Sequence, residues 1–80
     1  MRVQVLLKTA LYRGRFGADY DQPLKSSVME IRGTAEIRDG GLELTVASLH
    51  DEKGRAVDAP FSRIFVPQGK IDFYVIEDDA

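Results

Sequence analysis

Apolar and polar residues alternate with a period of two along almost the whole chain, the mark of strands with one face buried and the other in water. Val3-Gln4-Val5-Leu6-Leu7-Lys8 begins the pattern, and Tyr12-Arg13-Gly14-Arg15-Phe16 takes it up again after a two- or three-residue turn. Over positions 29–37 every odd residue is apolar or Gly and every even residue is polar. Asp39-Gly40-Gly41 then supplies residues that accept positive φ at little cost, and Leu42-Glu43-Leu44-Thr45-Val46 resumes the alternation, which predicts a hairpin. A polar turn with Gly54 near its end follows at 51–55. Pro60 and Pro67, neither able to donate a ladder hydrogen bond, bracket a strand over 61–66. Gln68-Gly69 turns the chain into 71–76, rich in β-branched and aromatic residues. The predicted strands are therefore 3–8, 11–16, 28–38, 42–50, 61–66 and 70–77, with Phe61, Phe65, Phe73 and Val75 in the core. Residues 18–27, broken by Pro23, are predicted as a loop with at most one helical turn.

Short strands, Gly and Pro turns and no helical period predict an all-β fold, a small SH3-like antiparallel barrel of five to six strands. With neither an internal repeat nor a linker, residues 1–80 read as one domain, and Glu77-Asp78-Asp79-Ala80 as its frayed acidic end. A chain of 80 residues buries only somewhat more than ~60% of its unfolded surface, so further burial in an oligomer is expected.

Composition narrows the chemistry. With 44% hydrophobic and 30% charged residues and only short apolar runs, neither disorder nor a membrane span is expected. The first residues lack the apolar core of a signal peptide, so cytoplasm is the expected location. The absence of cysteine excludes disulfides and thiolate metal sites. His50 is the single histidine, and no serine sits in a nucleophile elbow. Gly14-Arg15-Phe16-Gly17 lacks the strand–glycine–helix context of a phosphate loop, and Asp19 and Asp21 lack the glycine and distal glutamate of a calcium loop. No enzyme activity, cofactor or metal is expected. The net charge of −2 is unevenly spread. Arg2, Lys8, Arg13, Arg15 and Lys25 outweigh Asp19 and Asp21 in the first third, while acidic residues dominate from position 51 onward. The basic third is a candidate phosphate-binding surface, although so modest an overall field is unlike that of a strong nucleic-acid binder.

The strings Val3-Gln4-Val5-Leu6-Leu7-Lys8 and Tyr12-Arg13-Gly14-Arg15-Phe16 resemble the opening of the Sm-like proteins, and Tyr20-Asp21-Gln22-Pro23-Leu24-Lys25 is similar to the end of that family's first motif. Ile64-Phe65-Val66-Pro67-Gln68-Gly69, followed by 71–76, looks like its second. The resemblance covers most of the chain and implies an Sm-like barrel and a homo-oligomeric ring joined through strands near 61–66 and 70–77. It also implies single-stranded RNA as a ligand. At the positions that hold a base in that family this chain carries Pro23, Lys25 and Gln68 in place of an aromatic ring or histidine, an asparagine and an arginine. Uridine selectivity is therefore not expected, and Arg13, Arg15, Lys25 and Gln68 remain as candidate nucleic-acid contacts. Only Met1 and Arg2 precede the first strand, where the family has a helix. The pattern leaves two registers open. Either 28–50 is a complete hairpin where the family has one strand, or 42–49 is the third strand and 17–41 an elaborated second. Two functions follow from this reading: an oligomeric Sm-like protein with weak nucleic-acid binding, or an assembly scaffold that has lost it.

Overall fold

A computed structural model of the chain describes residues 1–11 and 28–77. Every strand pairing in it is antiparallel. The strands are β1 (Arg2–Leu11), β2 (Val28–Arg38), β3 (Gly41–His50), β4 (Ala56–Val57), β5 (Arg63–Pro67) and β6 (Ile71–Glu77), with a single 3-10 turn (Gln68–Lys70) between the last two. They form one six-stranded sheet in the order β4-β3-β2-β1-β6, with β5 also on β3. No α-helix occurs among the described residues, and none is long and apolar enough to cross a membrane.

The hairpin predicted over 28–50 is present, and 42–49 falls within β3, while residues 12–27, on which the choice between the two registers turns, lie outside the described residues. Arg38 pairs with Gly41 across a two-residue turn in which Gly40 has φ +87°. Gly41 has a different role: a Cβ there would lie 2.2 Å from the Val66 carbonyl oxygen, so its missing side chain lets β5 close on β3. Gly33 does the same further along the hairpin, where a Cβ would stand 2.0 Å from the Thr45 carbonyl oxygen. Between the pairs Arg32–Ser48 and Gly33–Val46, residue Ala47 is left over as a bulge. The bulge shifts the inward parity of β3 from Leu42 and Leu44 to Leu49, bends the strand, and lets one edge of β3 hold β5 along residues 41–45 and β4 at 49–50.

The curled sheet is held at one end by the 3-10 turn. The Gln68 amide donates to the Gly40 carbonyl at 2.8 Å, and the Lys70 ammonium donates to Thr9 Oγ1 at 2.8 Å and to the Ala10 carbonyl at 3.1 Å. Inside lies a core built from aliphatic residues, with Val3, Val5, Val28, Ile31, Leu44 and Leu49 fully buried and Leu7, Leu11, Ala35, Leu42 and Val66 nearly so.

Two expectations need correction. The turn predicted after Lys8 is absent: Thr9 and Ala10 continue β1 to Leu11, bonded by Lys70, and the described neighbours of β1 are β2 and β6. Residues 12–16 lie outside the described residues. The aromatic core is also wrong. Phe61 packs against the core only in part, while Phe65, Phe73 and Val75 face outward at 48%, 52% and 44% exposure. In β5 the inward positions are Ile64 and Val66, which oppose Leu44 and Leu42. In β6, Asp72 is a bulged residue between the pairs Leu7–Ile71 and Leu6–Phe73. Ile71, Tyr74 and Ile76 therefore share the inner side with Leu7, Val5 and Val3, and Phe73 and Val75 lie over Leu6 and Gln4 on the outer side.

Candidate functional site

The most distinctive surface follows from where the sheet ends. Among the described residues β5 pairs only with β3 and β6 only with β1, so within that set one edge of each strand carries no ladder partner. These edges differ in chemistry. The β5 edge is five residues long, ends in Pro67, which has no N–H, and carries Arg63 in an ion pair with Glu43. β6 contains no Pro, Gly, Lys or Arg, and it exposes apolar side chains on both faces: Phe73 and Val75 outside, and Ile76, 59% exposed, inside.

A groove of about 490 Å³ runs beside β6, between it and the tip of the β2–β3 hairpin. Ile37, Leu42, Ile71 and Tyr74 give it apolar walls, and Arg38 and Asp72 stand among its polar lining. Ile37, although opposite Leu42 on the inner side, is 68% exposed at this mouth. Gln68 also lines the groove, on an exposed turn that its own amide ties to Gly40. The other three sequence-predicted site residues, Arg13, Arg15 and Lys25, lie outside the described residues, as does Pro23.

The arginines are organised in ion pairs. All five arginines of the described residues meet carboxylates: Arg2 with Glu77 at 3.7 Å, Arg32 with Glu30 at 2.7 Å, Arg55 with Asp51 at 3.1 Å, Arg38 with Glu36 and Glu43, and Arg63 with Glu43. Such pairing opposes a bid by these guanidiniums for phosphate, since each would have to leave a carboxylate. His50 is built into a turn. Its Nδ1 lies 3.3 Å from the Gly54 carbonyl oxygen and its Nε2 2.9 Å from Ser48 Oγ, a geometry that a neutral ring protonated on Nδ1 satisfies at both nitrogens. The same turn is anchored by Asp51, whose Oδ1 accepts from the amides of Arg55 and Lys53, each at 2.9 Å. The Arg55 amide, then the Lys53 amide and the Arg55 guanidinium, hold the Asp51 carboxyl below the usual carboxylate range, against the opposing effect of desolvation. Ser48 and His50 thus order the 51–55 turn, whose Gly54 has φ +82°. No group of three or more metal-ligating side chains occurs among the described residues.

The residues of this surface that sequence reasoning missed are Ile37 and Tyr74, together with the outward facing of Phe73 and Val75. A signal was available: Phe73-Tyr74-Val75-Ile76 is apolar at consecutive positions, so both faces of β6 demand cover, which one small core cannot give. Comparisons with protein-family models, with curated proteins and with solved structures give no match.

Proposed function

We propose that this protein is a non-enzymatic assembly module that works by adding a strand to the open edge of β6. One observation carries the reading: a seven-residue edge without proline, glycine or a basic residue, apolar on both faces and flanked by a groove, is the kind of surface that soluble proteins otherwise blunt. Main-chain hydrogen bonds along such an edge supply affinity, and the side chains that alternate across it supply selectivity. The Sm-like resemblance points the same way, toward a small barrel used as an assembly unit. The paired arginines favour this reading over nucleic-acid binding, for which Arg13, Arg15, Lys25 and Gln68 remain the candidate contacts.

Light scattering during gel filtration at micromolar concentration tests it. The wild-type protein is expected to run above its 8.9 kDa chain mass, and Val75→Lys, which places a charge on the edge strand without touching the core, is expected to return it to that mass. A wild-type protein that stays monomeric would sink the self-assembly form of the proposal. Salt-sensitive binding to single-stranded RNA, equal for oligo-U and oligo-A, would instead favour the nucleic-acid reading.

A further inference from the structure

Resting on the assembly reading, we infer that the occupant of the β6 edge is β6 of a second copy, paired antiparallel about a twofold axis at Val75. The result is a closed dimer, not the ring that head-to-tail pairing of β5 with β6 would build.

The two edges decide between these geometries. A ring uses both edges of every subunit, and the β5 edge is poorly suited: its last residue is Pro67, and its first, Arg63, is engaged with Glu43. A twofold dimer uses β6 alone and leaves β5 as the blunted edge it already is.

The register follows from the bulge. Asp72 interrupts the regular ladder of β6, so the uninterrupted stretch runs from Phe73 to Glu77 and its midpoint is Val75. Pairing that stretch with its own copy sets Val75 against Val75, Tyr74 against Ile76, and Phe73 against Glu77. On the inner side this gives two aromatic–aliphatic cross-strand pairs, one on each side of the axis, which is a favoured combination. Glu77 is the only charged residue in the stretch, and it opposes Phe73, so no like charges meet. Its carboxylate is already satisfied within its own subunit, by the Gln4 amide at 2.7 Å and by Arg2 at 3.7 Å. With inner sides facing the same way, the sheet runs continuously through both copies and the second strand lies along the mouth of the groove, next to the exposed Ile37.

Size sets the strength. The exposed portions of Ile37, Phe73, Val75 and Ile76 set an upper bound of roughly 400 Å² of apolar area per copy, because edge pairing leaves the outer faces of Phe73 and Val75 partly in water. Doubled, and with the strand backbones added, this sits near the ~1,000 Å² lower bound of a specific interface. The dimer should therefore dissociate on dilution.

The chain has no cysteine, which makes the test clean. A single Val75→Cys substitution, at an outward and half-exposed position, brings two thiols together at the axis. Antiparallel neighbours have Cα separations of about 4.5–5.5 Å, within disulfide range. Under mild oxidation Val75→Cys should convert to a covalent dimer of twice the chain mass, and Phe65→Cys on β5 should not. Mixing the two variants should give no 65–75 heterodimer. Oligomers of three or more copies, or a crosslink only between positions 65 and 75, would overturn the twofold geometry and leave the assembly reading intact. A protein that remains monomeric, with Val75→Cys uncrosslinked at the same concentration, would remove both.

Discussion

Leu44→Ala and Phe73→Ala together test which side of each strand faces inward. Leu44 is fully buried in β3, between Ala35 of β2 and Ile64 of β5 in the ladder. Removing its isobutyl group leaves a cavity that the methyl of Ala35 cannot fill, and buried Leu→Ala changes cost about 2.7–5 kcal/mol. A domain of 80 residues has about 4–12 kcal/mol of total stability, so Leu44→Ala should remove close to half of it. Phe73, 52% exposed on the outer side of β6, has only half its ring to lose from contact with Leu6, and its truncation should cost about 1 kcal/mol. With a urea slope of about 1 kcal/mol/M, the midpoints should fall by roughly 3 M and 1 M. The melts belong at low protein concentration, where the proposed pairing of β6 with a second copy is not populated; if that pairing forms, raising the concentration should enlarge the Phe73 effect and leave the Leu44 effect unchanged. Equal losses in dilute solution would refute the outward facing of Phe73 and, with it, the bulge at Asp72 that sets it.

Gly33→Ala should destabilise the fold by more than about 2 kcal/mol, because the added Cβ would meet main chain that cannot swing aside; a drop in thermal midpoint with retained solubility would measure it. Asp51 should contribute to stability in a pH-dependent way with a definite sign. Its carboxyl is held low in the folded state, so its contribution is complete above the unfolded titration near pH ~4 and is lost as pH falls through the lower folded value. Urea midpoints of the wild-type protein and Asp51→Asn should thus differ most above about pH 5 and draw together as the pH falls from about 4 through the lower folded value; a gap that stays constant down through that lower value would contradict the hydrogen bonding described for the 51–55 turn.

Much of the fold was legible because period two is a local signal. The bounds 28–38 come directly from alternation in the sequence, and the strand beginning at Leu42 in the pattern starts one residue earlier in the structure. Asp39-Gly40 punctuates the hairpin as its chemistry demands. What alternation could not carry was parity across a bulge. One extra residue at Ala47 or Asp72 reverses inside and outside for everything beyond it, and neither residue advertises this in the sequence. That is why Phe73 and Val75 were assigned to the core, and why the open face of β6 was not foreseen. The turn predicted after Lys8 is absent for a different reason. Thr9-Ala10 has no strong turn chemistry of its own, and a lysine sixty residues away keeps that stretch extended. The basic cluster was legible as composition, but composition does not say whether cations converge, and Arg13, Arg15 and Lys25 fall outside the described residues.

The register of β1 with β6 has a consequence for how the chain reaches this state. Val3 lies opposite Ile76, so β1 receives one of its two neighbours from a strand about seventy residues further along the chain. Until then β1 can lean only on β2, and Val3, Val5 and Leu7 lack the side of their enclosure that Ile71 and Tyr74 supply. Closing so long a loop costs entropy before any contact rewards it, which places such a topology among the slow folders, in the millisecond-to-second range. Folding of this chain should therefore be gated by the arrival of β6, and the strand proposed to pair with a second copy is also the one whose docking encloses β1 among the described strands.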